Sequence, residues 1–77
     1  MTLNEYQDAA MKTALPTAQN AEYMLLEIVS EAGELAGKRA KRIRDGGRPG
    51  WEYVEAHELG DIMWGIAGYA KELGFTL

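Results

Sequence analysis

The sequence contains no cysteine. Without a thiol it cannot form a disulfide bond, a zinc–thiolate centre or a cysteine nucleophile. This absence fits a reducing compartment, and we expect a cytoplasmic protein. Long apolar runs are also missing: none reaches the roughly 18 residues of a membrane-spanning helix. The first residues lack the basic and then apolar pattern of a secretory signal. We therefore expect neither a membrane association nor a signal peptide.

Positive charge is scarce. The chain has 8 Lys and Arg against 12 Asp and Glu, a net charge of −4. Binding to long nucleic acid needs a cationic face, so we do not expect such a partner. Most of the cations fall in one short stretch: Lys38, Arg39, Lys41, Arg42, Arg44 and Arg48.

The hydrophobic pattern predicts three helices and no strand within a single domain that covers residues 1–77. The predicted ranges are about 3–14, 20–44 and 51–73. Pro16 disfavours helical geometry in the residue before it, and Thr17 or Asn20 can cap the second helix. Gly46 and Gly74 are suited to ending the second and third helices.

The second and third predicted helices each carry an apolar stripe. The second has Met24, Leu25, Ile28, Val29, Ala32, Leu35 and Ala36. The third has Leu59, Ile62, Ile66, Tyr69 and Leu73. The short connection predicts antiparallel packing. A chain this short buries a limited core alone. We therefore expect an all-α helical bundle of about three helices per chain, completed by oligomerisation as a homodimer or homotetramer.

Two pairs of carboxylates have the same spacing. Glu31 and Glu34 are three residues apart on the second helix, and Glu58 and Asp61 are three apart on the third. At this spacing each pair leaves from one helix face, beside the apolar stripe. Antiparallel packing would bring the pairs together around one cleft. A single such pair is usually surface charge, but two facing pairs of hard oxygen ligands predict a Mg²⁺ or Mn²⁺ site.

The segments around these pairs resemble a known family. Ser30–Ala36 reads S-E-A-G-E-L-A, which is similar to the E-A-G-E segment of the MazG-like all-α nucleoside triphosphate pyrophosphohydrolases. Glu58–Trp64 reads E-L-G-D-I-M-W and resembles their E-L-G-D-V-L-W segment. Leu3–Ala10 also looks like the family's first helix. The resemblance covers nearly the whole chain.

This resemblance implies an enzyme that hydrolyses nucleoside or deoxynucleoside triphosphates to the monophosphate and pyrophosphate, in nucleotide-pool house-cleaning. It implies that Glu31, Glu34, Glu58 and Asp61 are the catalytic carboxylates and hold the Mg²⁺. One of them would accept the proton of the attacking water. The basic residues that many relatives carry on a fourth helix have no counterpart in these 77 residues.

Three other residues are candidate substrate contacts. Lys38 continues the acidic row and could meet a phosphate, or pair with Glu34 one turn before it. Trp51 could stack on the nucleobase or pack at the start of its helix, and Trp64 could contact the base or fill the core. Because each glycine inside a helix costs about 1 kcal/mol relative to Ala, those within the two acidic motifs predict crowding there.

The sequence is also compatible with other functions. Within the same fold group, the chain could be a phosphoribosyl-ATP pyrophosphohydrolase or a dUTP- or dCTP-specific relative. It could also be a non-catalytic helical interaction module that retains the motif. A di-metal carboxylate bundle is disfavoured because His57, the one histidine, has no Glu three residues before it.

Overall fold

The computed structural model describes residues 1–77 and contains three α-helices and no strand. The helices are α1 (Leu3–Met11), α2 (Ala21–Asp45) and α3 (Trp51–Glu72). A short 3₁₀ turn at Pro16–Ala18 joins the first two. The all-α prediction is confirmed. None of the helices combines the length and apolarity that crossing a membrane requires.

The end of α1 differs from the prediction. The helix begins at a capping box, in which Thr2 and Glu5 each accept a hydrogen bond from the other's backbone N–H. It ends at Met11, three residues earlier than predicted. The reason is Thr13, whose backbone N–H and hydroxyl both donate to the Ala10 carbonyl, at 3.0 and 2.6 Å. The backbone N–H of Ala14 then donates to the Met11 carbonyl and not to the Ala10 carbonyl, as it would in a longer helix.

The ends of α2 and α3 lie within about one residue of the predicted positions, because local signals set them. Asn20 caps α2 by accepting a hydrogen bond from the backbone N–H of Tyr23 at 2.7 Å. Gly46 and Gly50 bracket the turn that follows, with φ of 81° and 91°. Side chains other than glycine rarely adopt such φ values, so these two glycines let the chain reverse.

Helices α2 and α3 form an antiparallel hairpin. Positions that are buried or half-buried recur every three or four residues on each helix. They are Met24, Ile28, Glu31, Leu35, Lys38 and Arg42 on α2, and Trp51, Glu55, Glu58, Ile62, Gly65 and Tyr69 on α3. Together they form the seam of the hairpin. This spacing is that of antiparallel helices packed along one face.

Helix α1 packs across the open end of the hairpin, where α2 begins and α3 ends. The buried apolar core lies there: Ala10, Met11, Ala14, Ala18, Met24 and Ala67. Gln7, only 3% exposed, donates from Nε2 to the carbonyls of Ala67 and Phe75, at 3.1 and 3.0 Å. Its Oε1 accepts the backbone N–H of Leu77 at 3.3 Å. One amide side chain therefore fastens α1 to both α3 and the C-terminal segment.

Several residues of the predicted apolar stripes are exposed within one chain. Val29 on α2 is 64% exposed and Leu59 on α3 is 58% exposed. The reason is geometric: each apolar stripe is wider than the single neighbouring helix can cover. At about 100° per residue, the uncovered parts of both stripes lie on the same side of the hairpin. We call this surface the outer apolar face. Its exposed members are Leu26, Val29, Gly33, Ala36, Ala40, Ile43, Ala56, Leu59, Ile66 and Leu73, and the half-buried Met63 and Ala70 lie among them.

Crowded glycines occur where α3 packs against α2 and not in the acidic motifs. A methyl group added at Gly65 would lie 3.0 Å from Ile28 Cγ1, and one at Gly68 would overlap the side chain of Met24. At Gly33 and Gly60 the same methyl group would meet nothing within 4 Å. The prediction of crowding at those two positions is therefore wrong within the chain. The helix face that each occupies points away from the seam.

A candidate carboxylate metal site

Three of the four predicted carboxylates meet midway along the hairpin. Glu31 and Glu58 occupy seam positions of α2 and α3, and Glu34 lies one turn further along α2. One carboxylate oxygen from each of the three lies within 4.8 Å of the other two. Their exposure is graded: Glu58 is buried, Glu31 half-buried and Glu34 exposed. We call this group the acidic trio.

The trio contains oxygen atoms without a partner. Glu58 is only 2% exposed, and its Oε1 accepts a hydrogen bond from Lys38 Nζ at 2.5 Å. Its second oxygen, Oε2, and the Oε2 of Glu31 are both buried and have no hydrogen-bond donor. Buried polar atoms in folded proteins almost always have a partner. Two unpartnered carboxylate oxygens on facing helices therefore indicate a place for a cation or a proton.

The electrostatics of the trio favour a shared proton in the absence of a metal. The pKa of Glu31 is raised from 4.5 to about 8, first by its hydrogen bond to Glu58, then by burial and by the neighbouring acids Glu27, Glu34 and Asp61. The pKa of Glu58 is lowered, first by Lys38 and then by Glu31. Glu31 therefore holds a proton near neutral pH, whereas Glu58 is the charged member of the pair.

Asp61, the fourth predicted ligand, lies at the edge of the trio. Its Oδ2 is 3.6 Å from Nε2 of His57, one turn before it on α3. Its negative charge still contributes to the raised pKa of Glu31, as does the hydrogen bond that protonated Glu31 donates to Glu27. Five carboxylates thus act on one site, of which three have oxygen atoms close enough to share a small cation.

Lys38 forms an ion pair with an acid on the facing helix. Its ammonium group reaches across the seam to Glu58, whereas Glu34, on the same helix, is not its partner. It thereby supplies the one positive charge that contacts the trio directly.

The two tryptophans lie on different flanks of α3. One face of the Trp51 ring is covered by the guanidinium group of Arg42, with Cζ 3.6 Å from the ring centroid. The Trp64 indole N–H donates to Thr13 Oγ1 at 3.0 Å and to the Ala10 carbonyl at 3.3 Å. Trp64 is therefore directed towards α1, and Trp51 lies two helical turns before Glu58, beside the α2–α3 turn.

A relative was found among phage proteins. The chain is 33% identical to the Gene 37 protein of Mycobacterium phage L5 over 88 aligned positions, which take in 100% of this chain and 76% of that protein. The chain belongs to the family of the phage L5 Gene 37 protein. No family model matches the sequence, and no solved structure matches it. The name of the relative specifies no activity, so the chemistry of the site follows from its geometry.

The donor set of the trio suits a hard divalent cation. Mg²⁺ and Mn²⁺ prefer carboxylate and water oxygens, and sites of this kind commonly combine a few carboxylates with substrate phosphates. A divalent ion would give the two unpartnered oxygens of Glu31 and Glu58 a partner. It would also offset the repulsion that raises the pKa of Glu31. The residues present therefore fit such an ion.

Proposed function

We propose that this protein is a Mg²⁺-dependent hydrolase of the MazG-like type that cleaves nucleoside or deoxynucleoside triphosphates to the monophosphate and pyrophosphate. Glu31, Glu34, Glu58 and Asp61 hold the Mg²⁺, for which Mn²⁺ can substitute. The observation that carries the proposal is the acidic trio, with buried oxygens of Glu31 and Glu58 that have no partner. The E-A-G-E and E-L-G-D segments around these residues add support.

The chain's own residues have separate tasks in this proposal. When bound, Mg²⁺ neutralises phosphate charge and lowers the pKa of water. A carboxylate of the acidic trio accepts the proton that the attacking water loses. Lys38 and Trp51, on the side of the α2–α3 turn, are the substrate contacts. We assign Trp64 to packing against α1, because its indole N–H is already bonded there.

We further propose that the protein assembles as a homodimer or homotetramer through the outer apolar face. Only 10 of the 77 residues are buried within one chain, whereas large apolar side chains such as Leu26, Val29 and Leu59 are mostly exposed. Burying one such side chain fully stabilises a protein by about 1.5–3 kcal/mol. Two hairpins packed face to face would form a four-helix arrangement and cover both stripes.

The deciding experiment is an assay of pyrophosphate release across a panel of nucleoside triphosphates and deoxynucleoside triphosphates, with and without Mg²⁺. We expect Mg²⁺-dependent release of pyrophosphate. A strong preference for dUTP, dCTP or phosphoribosyl-ATP would identify a specialised relative. If the folded protein releases pyrophosphate from none of these, the hydrolase proposal fails. The outer apolar face would then favour a helical interaction module.

A further inference from the structure

A second candidate site lies at the closed end of the hairpin. The α2–α3 turn and the adjoining ends of both helices enclose a pocket of about 430 Å³. This volume is within the range of small-molecule sites. The pocket is lined mainly by charged side chains, with Trp51 and Val54 as its two large apolar residues. Much of its surface is therefore apolar, formed by these two residues and by the aliphatic stems of the charged side chains, with cationic groups placed on it.

The charge of the pocket is positive, although the protein as a whole is negative. Four cations line it: Lys38, Lys41, Arg42 and Arg48. The two lining carboxylates are neutralised by arginines that are not part of the lining. Asp45 accepts two hydrogen bonds from Arg44, at 2.7 and 2.6 Å. Glu55 accepts two from Arg39, at 3.1 and 2.6 Å.

Two of the lining cations form no ion pair, although the charge of Lys41 helps to lower the pKa of Asp45. Lys41 and Arg48 form neither an ion pair nor a side-chain hydrogen bond in the structure. With the lining carboxylates already paired, their charge is available to a ligand. One cation on α2 and one in the turn can contact two separate anionic groups of one ligand.

Arg42 is held in place with an unused donor. Its guanidinium group stacks on Trp51, which fixes the plane of the group. Its Nε is buried and makes no hydrogen bond, although Oε2 of Glu55 lies 3.4 Å away. The two outer guanidinium nitrogens of Arg42 make no hydrogen bond, and a positioned guanidinium group can form two parallel hydrogen bonds to phosphate.

The pocket adjoins the acidic trio through Lys38. This residue lines the pocket and also donates to Glu58 of the trio. Glu55, on the pocket wall, precedes Glu58 by one turn of α3, a rise of about 4.5 Å. An extended chain of phosphate groups could therefore reach from the trio into the pocket.

We propose that this pocket is a binding site for an oligophosphate group, formed by Lys41, Arg42 and Arg48, with Trp51 holding Arg42 in position. The identification of this group as the polyphosphate end of a nucleoside triphosphate rests on the proposed function. The binding of an oligophosphate anion is independent of that function, because no metal takes part in it.

The test is a titration of ¹⁵N-labelled protein with inorganic tripolyphosphate in metal-free buffer at constant ionic strength, followed by amide chemical shifts. We expect saturable shifts concentrated in residues 41–51. Lys41→Gln and Arg48→Gln should each weaken binding by about tenfold, since each removes a charge-assisted contact. Lys12→Gln, the same charge change on α1, should alter the affinity less than about twofold. A nucleoside triphosphate should reproduce the shifts and a nucleoside should not.

The proposal is overturned if tripolyphosphate gives no saturable shifts, or if its shifts fall mainly outside residues 41–51. It is also overturned if Lys12→Gln weakens binding as much as Lys41→Gln, since the attraction would then reflect overall charge alone. Because the titration contains no metal, its result is independent of hydrolysis. Tight binding of tripolyphosphate without cleavage of any triphosphate would retain the pocket and reject the hydrolase.

Discussion

At the scale of single residues, Glu31 is the member of the acidic trio whose pKa is raised furthest. It faces Glu58 across the seam, and both have a buried oxygen without a donor. The neighbouring acids and burial make its charged form costly, so its pKa rises to about 8. Lys38 lowers the pKa of Glu58, whereas the largest influences on Glu31 all raise its pKa. One residue of the trio is therefore neutral in the metal-free protein near neutral pH.

The stability of the metal-free protein should consequently depend on pH. Since the pKa of Glu31 is about 8 when folded and near 4.5 when unfolded, the native state binds more protons across this window. The free energy of unfolding should then fall as pH rises from about 4.5 to about 8. Urea denaturation at a series of pH values measures this. Glu31→Gln should flatten the dependence, and an unchanged slope in that variant would contradict the assignment.

Removing single charges from the site should abolish activity without unfolding the protein. Glu34→Gln and Asp61→Asn keep the shape of the side chain but remove a predicted ligand charge. We expect turnover to fall by orders of magnitude, since metal-ion stabilisation is worth several kcal/mol and about 1.4 kcal/mol is tenfold in rate. Pyrophosphate release and Mg²⁺ binding measure the two effects.

The matched control is Glu52→Gln, an acid of α3 outside the trio, which should change turnover little. Without Mg²⁺ the Glu34 and Asp61 variants should be as stable as the original protein or more so, because one repelling charge is gone. Normal pyrophosphate release at saturating Mg²⁺ would refute the site. So would a loss of activity that is explained by unfolding alone.

At the scale of helices, the seam between α2 and α3 is tight at one end and polar at the other. Gly65 packs against Ile28 near the open end, where a methyl group added at Gly65 would lie 3.0 Å from Ile28 Cγ1. Lys38 and Glu58 pair in the middle, and Arg42 and Trp51 stack near the turn. The hairpin is thus held by apolar packing at the α1 end and by charges towards the α2–α3 turn.

Alanine substitutions at two glycines of α3 should have opposite effects. Gly65→Ala should lower the free energy of unfolding, because overpacking costs about 1–3 kcal/mol and exceeds the gain in helix propensity. Gly60→Ala, where the methyl group meets nothing within 4 Å, should raise it by about 0.5–1 kcal/mol. Thermal or urea denaturation measures both. Stabilisation of the Gly65 variant would show that the seam is not tight.

At this scale, the sequence predicts the features that depend on residues only a few positions apart. The bounds of α2 and α3 follow from Asn20, Gly46 and the spacing of apolar residues, which act within a few positions. The meeting of Glu31 with Glu58 depends on the register of two helices. The i, i+3 pattern predicts it only because the turn between the helices is short. The sequence leaves Lys38 open between a phosphate contact and a pair with Glu34, because spacing along one helix does not specify the charge on the facing helix, which is Glu58.

The sequence does not specify which members of each apolar stripe stay exposed, for a related reason. An apolar periodicity predicts which side of a helix avoids water, but it does not say which molecule covers that side. Val29 and Ile28 are neighbours in the same stripe, yet Ile28 packs on α3 and Val29 remains exposed. Gln7 was missed because nothing in its surroundings distinguishes a buried glutamine from a solvated one.

At the scale of the whole molecule, two opposite sides of the hairpin have different characters. At about 100° per residue, Glu34 and Asp61 lie on the side opposite the outer apolar face. Self-association through that face would therefore leave the acidic trio accessible to water and to a ligand. The site and the proposed interface do not compete for the same surface.

Charges placed on the outer apolar face should prevent assembly. Val29→Glu and Leu59→Glu each introduce a charge that pairing would bury, which costs several kcal/mol unless it is paired. We expect light scattering to show a dimer or tetramer for the unaltered chain and a smaller species for both variants. Tyr53→Glu, at an exposed position outside that face, should leave the mass unchanged. A mass of 8.5 kDa for the unaltered chain at micromolar concentration would refute the assembly.

The Gln7 side chain also bears on the order in which the protein folds. Its hydrogen bonds join residues 60 to 70 positions apart, whereas α2 and α3 are joined by a short turn. Closing a long loop costs more entropy than closing a short one, so the hairpin should form first and α1 should dock last. The reverse event should occur in the native state, with α1 and the C-terminal segment detaching together while the hairpin persists. Amide hydrogens of α1 would then exchange with solvent sooner than those in the middle of α2 and α3.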